Sequence, residues 1–149
     1  MYKNINNNLL TFQYIHVFHK IELMFTRAFF YNFRLFTTPV KFLELLIKRF
    51  ELQPPNDPQL NPEELSAWTS RVLIPVRLRV YNVIKTWLET YFCYEPDACT
   101  ENALVEFTAG HMMQAMPGPA KRMMDLIRKR VNVKTTAKIL ICFSEALEK

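Results

Sequence analysis

The sequence predicts an all-α fold, a bundle of five to seven mostly antiparallel helices. Three observations carry that expectation. Only two glycines, Gly110 and Gly118, occur in 149 residues, too few for an all-β or Rossmann-type domain. The nine prolines gather at the edges of apolar segments, where they open or close helices. Within those segments apolar residues recur three and four apart, the period of a helix face. Half of the residues are hydrophobic and 13% are aromatic, so a packed core is expected rather than disorder.

Taken in order, residues 1–8 are polar and are expected to fray. Residues 9–35 hold one or two aromatic-rich helices. "TTP" at 37–39 is a start signal, with Thr38 as cap and Pro39 in the first helical position. Leu43, Leu46, Ile47 and Phe50 follow at helical spacing, with Glu44 and Lys48 expected to pair outside. "QPPNDP" at 53–58 ends that helix. "NPEE" at 61–64 starts the next. Asn61 caps, Pro62 stands first, and Glu64 occupies the capping-box position. Leu65, Trp68 and Val72 form its stripe.

Pro75 is expected to open a separate helix, "PVRLRVYNVIKTWLETYF", residues 75–92. Arg77 and Arg79 then crowd its first turn, where the helix dipole disfavours cations. Val76, Val80, Val83, Ile84, Trp87 and Tyr91 share one broad side, as in a central helix packed on two neighbours. Arg77 falls within that arc and is expected to snorkel outward. "EPDACT" breaks the helix. Another runs from about Glu101 to Met116 with Leu104, Phe107 and Met112 inward. "PGP" at 117–119 is a further break. A basic helix follows with Met123, Met124, Ile127 and Val131, and "KILICF" in the tail fits strand or helix. The chain thus divides into an unassigned segment 1–20, a helical domain 21–131 and a tail 132–149. Phe36, Phe50, Trp68, Val83, Trp87 and Phe107 are the expected core.

No catalytic constellation emerges. His16 and His19 stand three apart without further metal ligands nearby, so surface or core histidines are expected and no metal. "MPGPAKR" lacks the spacing of a phosphate loop. The three cysteines, Cys93, Cys99 and Cys142, have no metal-ligand spacing. Their odd number and the lack of a secretory cleavage pattern point to a reducing cytoplasm. The apolar stretch near the start is interrupted by His16, His19, Lys20 and Glu22, so it does not read as a membrane span. No cofactor is expected.

The second block quoted above and an earlier one, "FFYNFRLFTTPVKFLELLIKRFEL" at 29–52, together resemble the N-terminal domain of Ras-type guanine-nucleotide exchange factors, the Ras exchanger motif. The first block resembles the family's Tyr/Phe-Arg-x-Phe-Thr-Thr-Pro and leucine-rich helix. The second resembles its Leu-Arg-Val and Asn-Val-x-x-Trp, followed here by Asp97. The resemblance covers roughly residues 24–131. It implies an antiparallel helical bundle that does not itself exchange nucleotide. Such a domain packs on a separate catalytic domain and braces the helical hairpin that opens the Ras nucleotide site. In some members a second Ras molecule docks across both domains, and the Leu-Arg of that site matches Leu78 and Arg79. The catalytic domain is not within these residues, so the chain is expected to be a fragment or a stand-alone module, with the exchange domain as partner in cis or in trans.

Two surfaces stay open to alternative readings. Leu78 and Arg79 are either an isolated exposed pair or a small docking patch for a GTPase or the catalytic domain. Lys121, Arg122, Arg128, Lys129 and Arg130 are either a solvated face or a contact for anionic membrane or an acidic partner. The latter would suit a free helical adaptor, peripheral at a membrane. Nucleic acid is not expected, because the aromatics follow core spacing and do not interleave with the charges.

Overall fold

The computed structural model describes residues 23–54 and 61–130. His16, His19, Val131, Cys142 and "KILICF" lie outside them. The described residues are helical and contain no strand, so the fold is all-α. The chain forms two compact units that divide between Thr38 and Pro39, within the start signal read from the sequence.

In the first unit, helix α1 covers the described residues 23–32 and runs into a 3-10 turn, Phe33–Leu35. Phenylalanines four apart share one helix face. Phe25 stacks on Phe29 at 6.4 Å, and Phe29 on Phe33 at 5.8 Å. Phe30 and Phe33 are buried. Arg34 donates from Nη1 to the Phe30 carbonyl at 3.5 Å, and its guanidinium lies 4.4 Å from the Phe33 ring centre. Phe36 corrects the sequence reading, for it is 67% exposed. The amides of Phe36 and Thr37 both donate to the Phe33 carbonyl, at 3.2 and 2.9 Å. That tight turn takes residue 36 off the helical spacing its burial required.

The second unit begins with α2, Pro39–Phe50, which buries Phe42, Leu43 and Phe50. Its outer ion pair is Lys41 with Glu44 at 3.0 Å, not Glu44 with Lys48. Helix α3, Pro62–Trp68, starts as the sequence dictates. Asn61 accepts from the Glu64 amide at 2.8 Å, and the Asn61 amide donates to Glu64 Oε2 at 3.0 Å.

The next elements depart from the sequence reading. A π turn, Thr69–Leu73, joins α3 without a break to α4, Ile74–Thr86, and a second π turn, Trp87–Tyr91, extends the rod. Pro75 therefore opens no new helix. It removes one amide and crowds the preceding turn. The widened turn absorbs this, with the Ile74 amide reaching back five residues to the Thr69 carbonyl. Each such turn also shifts the face downstream of it. Upstream of both turns, the stripe expected of α3 is not buried as a whole, for Leu65 is exposed and Trp68 half-buried. Val83 falls at the margin of the α4 apolar arc and is likewise half-buried.

The rod stops at Phe92 and Cys93, whose backbones are extended. The expected break is thus present, just ahead of "EPDACT", which is itself helical. That segment forms α5, Tyr94–Asp97, and a 3-10 turn, Ala98–Thr100. Helix α6, Glu101–Phe107, continues through a π turn, Thr108–Met112, into α7, Met113–Ala115. The break expected at "PGP" is likewise present, one residue ahead of it. Met116 alone leaves the helical conformation, its carbonyl accepts from the Ala120 amide at 3.0 Å, and residues 117–130 form α8. Proline in a first helical turn forfeits an amide that has no helical partner anyway.

Helices α2 and α4 are antiparallel neighbours. Phe42, early in α2, meets Trp87 edge-on at 5.3 Å just beyond α4, whereas Phe50 at the end of α2 meets Arg77 near the start of α4. Phe107 of α6 packs edge-on against Phe50 at 5.1 Å. Trp87 is 0% exposed, and Phe50, Phe107, Met112, Met123 and Ile127 are buried around the same core.

Candidate functional site

The rod from α3 to the second π turn places each charged side chain of the central block. Since it starts at Pro62, Arg77 and Arg79 are mid-helix residues, far from the positive end of the dipole. The electrostatic objection raised by a start at Pro75 does not arise. Arg77 does not snorkel outward. Its Nε donates to the Phe50 carbonyl at 3.2 Å, and its guanidinium lies 5.1 Å from the Phe50 ring centre. A helix end leaves carbonyls without partners, and Arg77 supplies one across the core.

Beside it a cavity of about 390 Å³ is lined by Phe50, Glu51, Arg77, His111 and Gln114. His111 Nδ1 meets Glu51 Oε1 there, tying the segment after α2 to the π turn before α7. The cavity's charged groups thus hold elements together.

Arg130 is a second correction. Rather than belonging to an outward basic patch, it donates from Nε to the Leu88 carbonyl at 2.6 Å and from Nη2 to the Glu89 carbonyl at 2.5 Å. The planar fork satisfies two carbonyls where the long rod ends. Truncation to Arg130→Ala is expected to cost about 1–3 kcal/mol by loss of two charge-assisted bonds. Arg130→Lys should restore part of that, in a urea melt, because an ammonium lacks the fork.

The outward side of α4 is exposed. Leu78 is 42% exposed and Arg79 is exposed beside it. Ile74, which the sequence reading passed over, is 47% exposed. It lies one turn before Leu78, and Arg71 is exposed one turn earlier still. The signal for Ile74 was its four-residue spacing from Leu78, hidden by the assumption that Pro75 began the helix. On α8, Lys121, Arg122, Arg128 and Lys129 are exposed. Arg128 pairs with Asp125 at 3.7 Å.

Among the described residues no group of three or more His, Cys, Asp or Glu could hold a metal. No described helix is long and apolar enough to cross a membrane. Cys93 and Cys99 are free and exposed.

The chain is 35% identical over 81 residues to Ras guanine nucleotide exchange factor J of Dictyostelium discoideum, covering 54% of this chain and 9% of that one. It is 37% identical over 86 residues to guanine nucleotide exchange factor SDC25 of Saccharomyces cerevisiae, covering 56% of this chain and 7% of the relative. With Ras guanine nucleotide exchange factor K of D. discoideum it shares 34% identity over 116 residues, 76% of this chain and 6% of the other. The chain spans less than a tenth of the length of these relatives. Residues 7–108 match the RasGEF N-terminal motif, a span that begins within the segment left unassigned above and takes in α1 to α6. With more than half of its length matched, the chain belongs to the RasGEF N-terminal motif family.

Proposed function

We propose that this chain is the non-catalytic N-terminal module of a Ras-family guanine-nucleotide exchange factor. It braces the catalytic exchange domain in small-GTPase signalling. The observation that carries the reading is the match of residues 7–108 to the RasGEF N-terminal motif. Its place is the cytoplasm, which suits the free, exposed Cys93 and Cys99. The chain alone is expected to release no nucleotide from a Ras-type GTPase. An exchange domain from a relative, mixed with it, should melt at higher temperature than either alone. Exchange stimulated by the chain by itself would sink the reading.

Leu78 and Arg79 are the proposed docking residues for the GTPase or the exchange domain, now with Ile74 and Arg71 beside them. An exposed aliphatic pair flanked by arginines is the composition enriched at recognition surfaces. Leu78→Glu is expected to shift stability by no more than about 0.5 kcal/mol, as exposed substitutions do. Its titration against the two partners should show weakened binding to one of them; unchanged affinity for both removes Leu78 from the interface.

A second reading, peripheral contact with an anionic membrane, draws on the outward cations of α8. It is compatible with the first, since those cations lie on a different helix from Leu78.

A further inference from the structure

Helices α4 and α8 enclose an open groove of about 280 Å³. One bank carries Tyr81, Lys85 and Glu89, four residues apart along the rod. The other carries Arg122, Asp125, Leu126 and Lys129, which share a face of α8 at three- and four-residue spacing. Tyr81 is buried and Leu126 half-buried, giving the groove an apolar floor. Lys85 lies 3.8 Å from Glu89. Among the described residues Arg122 and Lys129 enter no ion pair. The groove therefore offers two unpaired cations together with two carboxylates, Glu89 and Asp125, held only in long, exposed pairs with Lys85 at 3.8 Å and Arg128 at 3.7 Å. Such pairs contribute little to stability and exchange readily. Lys121 is exposed on the same helix as Arg128.

This mixed lining discriminates among anions. A polyphosphate would meet Glu89 and Asp125 as like charges, which is unfavourable at short range. A headgroup with two anions and one cation would match both signs. We propose that the groove seats the headgroup of a phosphatidylserine-type lipid on an anionic bilayer. Arg122 and Lys129 hold the phosphodiester and carboxylate, and Asp125 and Glu89 accept from the ammonium. The volume falls just below the roughly 300 Å³ at which pockets for drug-sized ligands begin, and so suits one small headgroup. Lys121 and Arg128 add long-range attraction to the surface. The proposal rests on the membrane reading above and deepens it.

The test is co-sedimentation of the full chain with phosphatidylcholine vesicles doped equally with phosphatidylserine or with phosphatidylglycerol. The two dopants carry the same net charge, so simple electrostatics binds them alike. The chain should prefer phosphatidylserine, and soluble O-phospho-L-serine should compete. Arg122→Gln and Lys129→Gln should each weaken binding to both vesicles about fivefold, the worth of one surface cation. Asp125→Asn and Glu89→Gln should abolish the preference without weakening phosphatidylglycerol binding. Thermal melts check that all four variants fold; having two carboxylate variants keeps the test decisive if one does not. Equal binding to both vesicles, a preference that survives the carboxylate variants, or tighter binding to polyphosphoinositide vesicles of matched charge overturns the groove while leaving the membrane reading. No binding to any anionic vesicle at low salt, where screening is weakest, overturns both.

Discussion

Trp87→Ala is expected to destabilise the chain by about 3–5 kcal/mol, the usual cost of truncating a large buried aromatic. The indole is 0% exposed and is clasped between Phe42 at 5.3 Å and Phe92 at 5.9 Å. It stands where α4 gives way to the second π turn, so its loss opens a cavity at the junction of α2 with the rod. Such a cost is a large part of the total stability of an ordinary domain, and the variant should be partly unfolded at physiological temperature. Trp87→Phe separates the two contributions of the indole. It keeps most of the apolar volume and removes the Nε1–H donor. Its cost should fall to about 1–3 kcal/mol, that of a lost buried hydrogen bond. Denaturant melts of both variants read these values. If Trp87→Ala proves no worse than Leu78→Glu, the assignment of α4's buried side is wrong.

Asp97→Ala should cost nearly as much, about 2–5 kcal/mol, although it removes only a small side chain. Asp97 is 0% exposed. Its Oδ2 accepts from Trp87 Nε1 and from the Cys93 amide, each at 3.0 Å. Truncation leaves the buried Trp87 donor and the part-buried Cys93 amide without this acceptor, and an unsatisfied buried group costs about 1–3 kcal/mol. The carboxylate also clamps the extended residues Phe92 and Cys93, where the chain leaves the rod and turns into α5. Thr100 Oγ1 donates to the Asp97 carbonyl at 2.7 Å and fixes the following turn. Asp97→Asn keeps an acceptor oxygen and the volume, so it should recover part of the loss. A double-mutant cycle of Trp87→Phe with Asp97→Ala should give a coupling of about 0.5–3 kcal/mol, because both variants break the same bond. Purely additive effects would mean that the bond contributes nothing to stability.

Much of this molecule was legible in its sequence because helices are specified locally. The cap, proline and carboxylate of "NPEE" lie within four residues, and the capping box forms as they dictate. Pro39 begins α2, and the inward positions Leu104, Phe107 and Met112 are buried as their spacing requires. The exposure of Leu78 and Arg79 was likewise legible, since it follows from the period of one helix. The family, too, was carried by two short blocks in a set order.

The same local reasoning failed where a turn changed its period. Pro75 looks like a break, yet it lies within one continuous rod, whereas the breaks expected at "EPDACT" and "PGP" occur just ahead of them, at Phe92–Cys93 and Met116, and those segments themselves open the next helices. A proline costs one amide and some crowding, and whether a chain meets that with a break or a widened turn depends on what the flanking turns pack against. Phe36 was lost to the core for a related reason, a 3-10 turn that a fixed periodicity does not anticipate.

The basic residues show the division most clearly. By itself the sequence determined that this chain is helical, which positions begin its helices, and that its second half carries an excess of cations. It placed Arg77 within the apolar arc without its carbonyl partner, and it did not separate Arg130 from Arg122, because an arginine's charge and spacing are the same in either role. Tertiary structure decided it. Arg77 reaches the Phe50 carbonyl, 27 residues away in sequence, and Arg130 reaches Leu88 and Glu89, 42 and 41 residues away. The physical reason is that the carbonyls orphaned at a helix end need donors, and which donor lies within hydrogen-bond reach is settled only when the helices pack.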